Sequence, residues 1–269
     1  MGNNCTDKKI GLALGGGSTK AFATFAVVEG LLEEGIVIDA VSGTSAGAII
    51  GAHYALFGEV KTLREELESF SKKDWFKFAD FTFGRTKSMI KAKKYRKYLH
   101  DKFGDNTFDD TKVPLIVTAS NIVSGKVEYI TEGKIVDAII ASSAYPGIFP
   151  PFQRGEDLLV DGGVLNNLPY GILFKKKMDK VIGINLGIIG GDKGDYKTSI
   201  SVLSRALDLM MDNAFRRIYT ENDELFVFDV KFKRGFTSTW NVSNLAKKYD
   251  VGKTEFEVRK EDFLKWLCV

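Results

Sequence analysis

The chain has 269 residues, of which 44% are hydrophobic, and a net charge of +3, which is the composition of an ordinary globular protein rather than of a disordered chain. No apolar run reaches the length of a transmembrane helix, and the first nine residues lack the apolar stretch of a signal peptide. Two cysteines, one near each end, predict no disulfide framework and a cytoplasmic location, with peripheral membrane association left open.

The N-terminus matches the pattern M-G-x-x-x-[ST], so that acylation at Gly2 and Cys5 also stays open.

The next residues alternate between strand and helix patterns. The predicted order is strand 10–14, glycine loop 15–17, helix 19–34, strand 37–42 and helix 48–56. Gly35 is the expected helix stop. This alternation is typical of the start of a parallel sheet.

The rest of the chain continues in the same manner. Further strands are predicted at 113–119, 126–130, 158–160, 180–186 and 224–230, and further helices at 135–143, 199–219 and 261–267. Residues 61–103 are helical and basic, with few strand signals, which indicates a helical insertion or cap. The simplest account is one α/β domain, with a core at 8–190 and a helix-strand extension at 191–269 packed on it.

Residues 70–103 combine many lysines and arginines with aromatic side chains. Such a segment can lie on anionic lipid headgroups or contact nucleic acid. It can also be a solvated helix face over a local aromatic core. We expect transient membrane-surface contact through this segment and no nucleic acid partner, and the sequence leaves the oligomeric state open.

Ser45 is the candidate nucleophile. It lies in Gly43-Thr44-Ser45-Ala46-Gly47, which fits the G-x-S-x-G pattern of a serine on a sharp turn between a strand and a helix. The flanking glycines permit the tight turn, and the helix that follows directs backbone donors and the positive end of its dipole at the serine. An isolated match also fits a glycine-rich packing turn, so the rest of the sequence has to decide.

Asp161 is the candidate base. Histidine usually activates a serine hydroxyl, but His53 lies eight residues after Ser45 on the same predicted helix, about 12 Å further along its axis. The other histidine, His100, has no motif around it. Asp161 ends a predicted strand and precedes two glycines, which would leave its carboxylate at a sheet edge where ligands bind. The alternative for Asp-Gly-Gly is a simple turn.

The glycine loop 15–17 presents backbone N–H groups between a strand and a helix. Two donors aimed at one point form an oxyanion hole, which contributes about 3–4 kcal/mol per donor. A phosphate-binding loop is the competing interpretation. It requires lysine directly after the last glycine, whereas Ser18 and Thr19 precede Lys20 here, and the dinucleotide pattern G-x-G-x-x-G is also incomplete.

Four blocks stand in a distinctive order along residues 8–190. They are the loop Leu12-Ala13-Leu14-Gly15-Gly16-Gly17 with Lys20, the Ser45 elbow, the segment 141–151 (ASSAYPGIFPP), and Asp161-Gly162-Gly163 with its tail to Pro169. Together they resemble the bacterial patatin-like phospholipases. The resemblance implies a three-layer α/β sandwich with a mostly parallel central sheet and a helical cap at 61–103.

The resemblance also implies a serine lipid acyl hydrolase that acts on a lipid ester through a Ser-Asp dyad, without a metal or other cofactor. Ser45 would be the nucleophile and Asp161 the general base. The oxyanion and substrate would be bound by Gly15, Gly16, Gly17, Ser18 and Ala46. Family members usually carry glycine where Ser18 and Ala21 stand. The alternative is therefore a non-catalytic or weakly active lipid-binding or regulatory protein on the same fold.

Overall fold

The computed structural model describes residues 8–70, 92–190, 196–219, 222–233 and 244–269. Within these residues the chain forms one eight-stranded sheet. Its strands are β1 (Ile10–Leu14), β2 (Ala40–Thr44), β3 (Leu115–Asn121), β4 (Lys126–Ile130), β5 (Phe152–Arg154), β6 (Asp157–Asp161), β7 (Lys180–Ile189) and β8 (Leu225–Lys233).

Eight α-helices are described between and after these strands. They are α1 (Phe22–Glu33), α2 (Ala46–Phe57), α3 (Lys61–Ser69), α4 (Lys93–Phe103), α5 (Ile135–Ser142), α6 (Tyr170–Lys175), α7 (Ser199–Ile218) and α8 (Leu245–Leu267). Short 3-10 turns at Ser18–Ala21 and Gly162–Val164 follow β1 and β6. The predicted insertion 61–103 thus begins with α3 and ends with α4, while 71–91 lies outside the described residues.

The sheet is mixed and mostly parallel. Its order is β5-β6-β3-β2-β1-β7-β8, and β4 also pairs with β3. The central pairs, β3 with β2, β2 with β1, β1 with β7 and β7 with β8, are all parallel. The pairs β3–β4, β3–β6 and β5–β6 are antiparallel. The α/β class with a mostly parallel sheet, predicted from the sequence, is confirmed.

Helices cover both faces of this sheet. Leu12 and Leu14 of β1 belong to one core, together with residues of α1, α2, α5 and α8. Ala13, between them, belongs to a second core with residues of α6 and with Phe215 of α7. Successive side chains of a strand point to opposite faces, so a sheet that is buried on both sides has this alternation. The result is a three-layer arrangement.

The last helix differs most from the prediction. The sequence predicts a helix only at 261–267, whereas α8 starts at Leu245. Gly252 lies inside it, and glycine is normally unfavourable within a helix. A Cβ atom at this position would lie 2.2 Å from the carbonyl oxygen of Ala23 on α1. Glycine is therefore needed because the two helices cross closely there.

No helix in the described residues is long and apolar enough to cross a membrane.

Candidate active site

The pairing of β3 brings Ser45 and Asp161 together. On β3, Thr118 pairs with Thr44 of β2, and Ala119 pairs with Asp161 of β6. Because β4 occupies the opposite edge of β3 over 117–121, β2 and β6 must share one edge. Asp161 therefore lies one residue beyond the end of β2, where the chain turns into Ser45. The sequence predicted Asp161 at a strand end but did not predict that β6 is antiparallel.

Ser45 occupies a strained turn between β2 and α2. Its backbone has φ 53° and ψ −120°, a conformation that residues other than glycine rarely adopt. The flanking glycines make the turn possible. A Cβ atom on Gly43 would lie 2.6 Å from the carbonyl oxygen of Gly47, and one on Gly47 would lie 2.3 Å from that of Leu14. Ser45 itself is half-buried at the N-terminus of α2.

The backbone of Ser45 is held by a second serine. The N–H of Ser45 donates to the Oγ of Ser142 at 2.8 Å. The hydroxyl of Ser142 in turn donates to the carbonyl oxygen of Thr118 at 2.6 Å. Ser142 is fully buried at the end of α5. The sequence analysis quoted this residue within 141–151 but gave it no role.

Asp161 is a buried carboxylate with an altered pKa. Only 3% of the residue is exposed. Its Oδ1 accepts a hydrogen bond from the N–H of Gly163 at 2.8 Å. Burial raises the pKa of Asp161 to about 6, against the opposing effects of the Gly163 N–H and of a hydrogen bond with the Ser45 side chain. The group is thus ionised at pH 7 and is a stronger base than a solvated carboxylate.

Both histidines have partners elsewhere. The Nδ1 of His53 lies 2.9 Å from the carbonyl oxygen of Glu59, and burial lowers the pKa of this histidine. His100 is exposed, with its Nε2 3.9 Å from the carboxylate of Asp105. His53 is therefore hydrogen-bonded away from Ser45, in line with its distance along the helix.

The glycine loop passes close to Ser45, but two of its backbone N–H groups already donate to other carbonyl oxygens. The N–H of Gly15 donates to the carbonyl oxygen of Ile184 at 3.0 Å, and that of Gly16 to the carbonyl oxygen of Asn167 at 3.3 Å. These two N–H groups are thus engaged within the protein, and a role of Gly15 and Gly16 in oxyanion or substrate binding stays a prediction. A third bond, from the Asn167 side chain to the Gly16 carbonyl oxygen, also holds the loop.

Gly17, Ser18 and Ala46 remain as candidate donors. Within the described part of the chain, the N–H groups of Gly17 and Ala46 have no hydrogen-bond acceptor. A Cβ atom on Gly16 would lie 3.2 Å from the Cβ of Ser45, which shows how closely the loop passes the serine. Ser18 is exposed and has φ 51°, in the left-handed region where glycine would be unstrained.

Side chains of α4 and α7 lie near Asp161. Tyr95 of α4 packs on Phe149 with ring centroids 5.3 Å apart, and burial raises the pKa of Tyr95 to about 12, with a smaller contribution from the charge of Asp161. From α7, the sulfur of Met211 would lie 3.2 Å from a Cβ atom on Gly163. The helical insertion and α7 thus both reach the site, which no local sequence pattern indicated.

A buried lysine supports the turn after the glycine loop. Lys248 of α8 is fully buried, and its Nζ donates to the Oγ1 of Thr19 at 2.5 Å. Burial, together with the nearby charge of Lys20, lowers the pKa of Lys248 to about 8. This contact joins residues 229 positions apart. It was therefore invisible to an analysis of local motifs.

Comparisons with known proteins agree with this fold. The family model described as "Patatin-like phospholipase" matches residues 12–174, which run from β1 into α6. The neuropathy target esterase sws of Drosophila melanogaster is 32% identical over 187 residues, covering 68% of this chain and 13% of that protein. Its counterpart in Drosophila grimshawi is 34% identical over 169 residues, covering 61% of this chain and 12% of that protein.

Among solved structures, VipD from Legionella pneumophila superposes with a TM-score of 0.58 over 95% of this chain and 67% of that one, at 15% identity. This likeness concerns the fold alone. The chain spans about one eighth of the length of the sws relatives. Since these relatives come from Drosophila, a bacterial subgroup stays a prediction. The match over residues 12–174 covers more than half of the chain, which therefore belongs to the patatin-like phospholipase family.

Proposed function

We propose that this chain is a serine lipid acyl hydrolase that cleaves carboxylic ester bonds of lipids through Ser45 and Asp161. The observation that carries the proposal is that β3 brings the buried Asp161 carboxylate, 3% exposed, next to the Ser45 turn, where the Ser45 side chain acts to lower the pKa of Asp161. Family membership and the word esterase in the names of the sws relatives support the reaction class.

In the first half-reaction, the Oγ of Ser45 attacks the ester carbonyl carbon while its proton passes to Asp161. The negative charge moves to the carbonyl oxygen, where the N–H groups of Gly17, Ser18 and Ala46 are the candidate donors. When the tetrahedral intermediate collapses, the C–O bond to the alcohol breaks. Asp161 returns its proton to the leaving alcohol oxygen, and the acyl group stays on Ser45.

In the second half-reaction, water attacks the acyl-enzyme and gives one proton to Asp161. Collapse releases the fatty acid, and the proton returns to the Oγ of Ser45. A pKa of about 6 suits this exchange because Asp161 is ionised at neutral pH yet still accepts a proton readily in the transition state. Neither step requires a histidine.

The test is hydrolysis of a short p-nitrophenyl ester and of a phospholipid panel. We expect Ser45→Ala and Asp161→Asn each to lose about 10³-fold or more in kcat/KM. His53→Gln is the matched control, since His53 is equally buried and titratable but has its partner at Glu59, and it should retain the rate. Wild-type turnover by Ser45→Ala would refute the proposal.

The alternative is a lipid-binding or regulatory protein with little or no turnover. The observation in its favour is the backbone strain at Ser18, φ 51°, in the loop that would bind the oxyanion. A fluorophosphonate probe separates the two functions because it reacts only with an activated serine. Labelling that is absent in Ser45→Ala supports the hydrolase, whereas no labelling of the wild type supports the binding protein.

We also propose contact with a phospholipid surface near the site. Most of the basic aromatic segment 70–103 lies outside the described residues, but α7 offers independent support. Its large apolar side chains that are at least half exposed are Val202, Leu203, Leu209 and Met210. This i, i+1, i+7, i+8 spacing places them on one helix face, while Met211 approaches the Asp161 turn.

The membrane proposal is tested with phosphatidylcholine vesicles, with and without phosphatidylserine. Leu209→Ser combined with Met210→Ser should weaken co-sedimentation with both kinds of vesicle. Val258→Ser is the matched control, since Val258 is 71% exposed but lies on α8. Equal binding by the α7 variant and the control would exclude the α7 face. Basic residues of the 70–103 segment predict stronger binding to the anionic vesicles.

A further inference from the structure

The Thr118 carbonyl oxygen lies between the two proposed catalytic residues. It accepts a hydrogen bond from the Ser142 hydroxyl at 2.6 Å, and Ser142 holds the N–H of Ser45. On the other side, a Cβ atom on Gly162, the residue after Asp161, would lie 2.3 Å from the same carbonyl oxygen. One backbone carbonyl of β3 is therefore bonded through Ser142 to the elbow and closely approached by the Asp161 turn.

The hydroxyl of Ser142 has a fully determined arrangement. A serine hydroxyl has one proton to donate and oxygen lone pairs to accept. Here the proton goes to Thr118, and a lone pair accepts from Ser45. Ser142 is completely buried, and its bond to Thr118 is shielded from water, while the bond from the half-buried Ser45 is partly shielded. Alanine at this position would leave the Ser45 N–H and the Thr118 carbonyl oxygen without these partners.

The strain at Ser45 makes this bond important. A residue with φ 53° and ψ −120° stays in that conformation only if its surroundings hold it there. The carbonyl oxygen of Ser45 is fixed by the first turn of α2, where it accepts from the N–H of Ala48 at 2.9 Å. The N–H of Ser45 has Ser142 as its partner. Because the Ser45 N–H donates to Ser142, it is not available as an oxyanion donor.

We infer that Ser142 is a positioning residue, which holds the Ser45 backbone so that its hydroxyl meets Asp161. This inference rests on the proposed hydrolase function. It makes a prediction that a purely structural role does not make. If Ser142 is lost, the Ser45 side chain no longer donates steadily to Asp161. The hydrogen bond that lowers the pKa of Asp161 is then weakened, and the pKa rises further.

The experiment compares Ser142→Ala with Ser42→Ala. Ser42 is also completely buried, and its Oγ donates to the carbonyl oxygen of Pro169 at 2.9 Å, but the N–H of Ser45 bonds to Ser142 instead. Both variants lose a buried bond to a carbonyl. We expect Ser142→Ala to lower kcat about 10²-fold with little change in KM, because a misplacement of about 1 Å has that effect. Ser42→Ala should keep kcat close to that of the wild type.

Two further readouts belong to the same experiment. The acid limb of the kcat/KM profile should move to higher pH in Ser142→Ala but not in Ser42→Ala. Ser142→Cys, which keeps a weaker donor and acceptor of similar shape, should have an intermediate rate. It replaces Ser142→Ala as the test if the alanine variant does not fold.

Labelling of Ser45 by a fluorophosphonate separates the two levels of failure. If the wild type is not labelled, the proposed function fails and this inference fails with it. If the wild type is labelled and Ser142→Ala reacts at the same rate with the same pH profile, only the inference about Ser142 is overturned. Equal losses in Ser142→Ala and Ser42→Ala at equal Tm would overturn it as well.

Discussion

Replacing Asp161 by asparagine should abolish activity and at the same time stabilise the fold at neutral pH. The change removes the titratable group from a side chain that is 3% exposed. An asparagine oxygen can still accept the 2.8 Å hydrogen bond from the N–H of Gly163. What disappears is the free-energy cost of holding a negative charge away from water.

The magnitude follows from the pKa. Burial raises the pKa of Asp161 from its ordinary 3.8 to about 6, which is about two units. At about 1.4 kcal/mol per unit, the ionised carboxylate lowers the free energy of unfolding by about 3 kcal/mol. For a chain of this size we expect Asp161→Asn to unfold about 5 °C or more above the wild type at pH 8.

The sign of the pH dependence is fixed by proton binding. Between pH 4 and pH 6 the folded wild type keeps the proton on Asp161, whereas the unfolded chain, with a pKa of about 3.9, has lost it. The folded state binds more protons in this window, so the contribution of Asp161 makes the wild type less stable as the pH rises. Asparagine does not titrate. The difference between the two proteins should therefore grow from pH 4 to pH 6 and stay constant above it.

Urea denaturation of both proteins at pH 4, 5, 6 and 8 measures this difference directly. All other titrating groups are common to the two chains, so their contributions cancel in the comparison. A variant that is no more stable than the wild type at pH 8 would refute the reasoning that the carboxylate is destabilised by burial. An equal difference at pH 4 and pH 8 would show that the gain does not come from the charge.

Three other outcomes are expected. Gly47→Ala should destabilise the fold by about 3 kcal/mol or more, because its Cβ atom would lie 2.3 Å from the Leu14 carbonyl oxygen. Gly171→Ala should be tolerated, because no atom lies within 4 Å of the added Cβ. Urea denaturation measures the stability of both variants. The kcat/KM for a neutral ester should rise with pH and level off above about pH 6 as Asp161 ionises, and a flat profile would contradict its role as base. His53→Gln should lower stability by about 1 kcal/mol through its lost backbone contact.

The parts of the site that were predictable from the sequence are those encoded locally. A serine between two glycines requires a sharp turn, and the strand before it and the helix after it follow from their apolar runs. The observed φ of 53° at Ser45 agrees with that turn. Asp161 was also predictable, because Asp-Gly-Gly at a strand end is a local pattern. The chain has only two histidines, which made a carboxylate base the better candidate.

The parts that were missed depend on partners distant in sequence. The N–H groups of Gly15 and Gly16 looked available in the sequence, but β7 and the Asn167 region supply acceptors more than 150 residues away. Gly252 is a residue type that is unfavourable within a helix, but here it permits the crossing of α8 over α1. In each case the residue type was compatible with two structures, and only the tertiary contact selects between them.

Strain and burial at this site have a common physical origin. Ser45 is held in a conformation of high energy, and Asp161 keeps a carboxylate away from water, so both residues oppose folding. Both are fixed by β3, through the carbonyl oxygen of Thr118 and the pairing of Ala119 with Asp161. A flexible surface would relax either residue separately, by rotating the serine or hydrating the carboxylate. A central strand that pairs along both edges permits neither relaxation. The same rigidity therefore keeps the proposed nucleophile, Ser45, in its strained turn and the proposed base, Asp161, largely dehydrated.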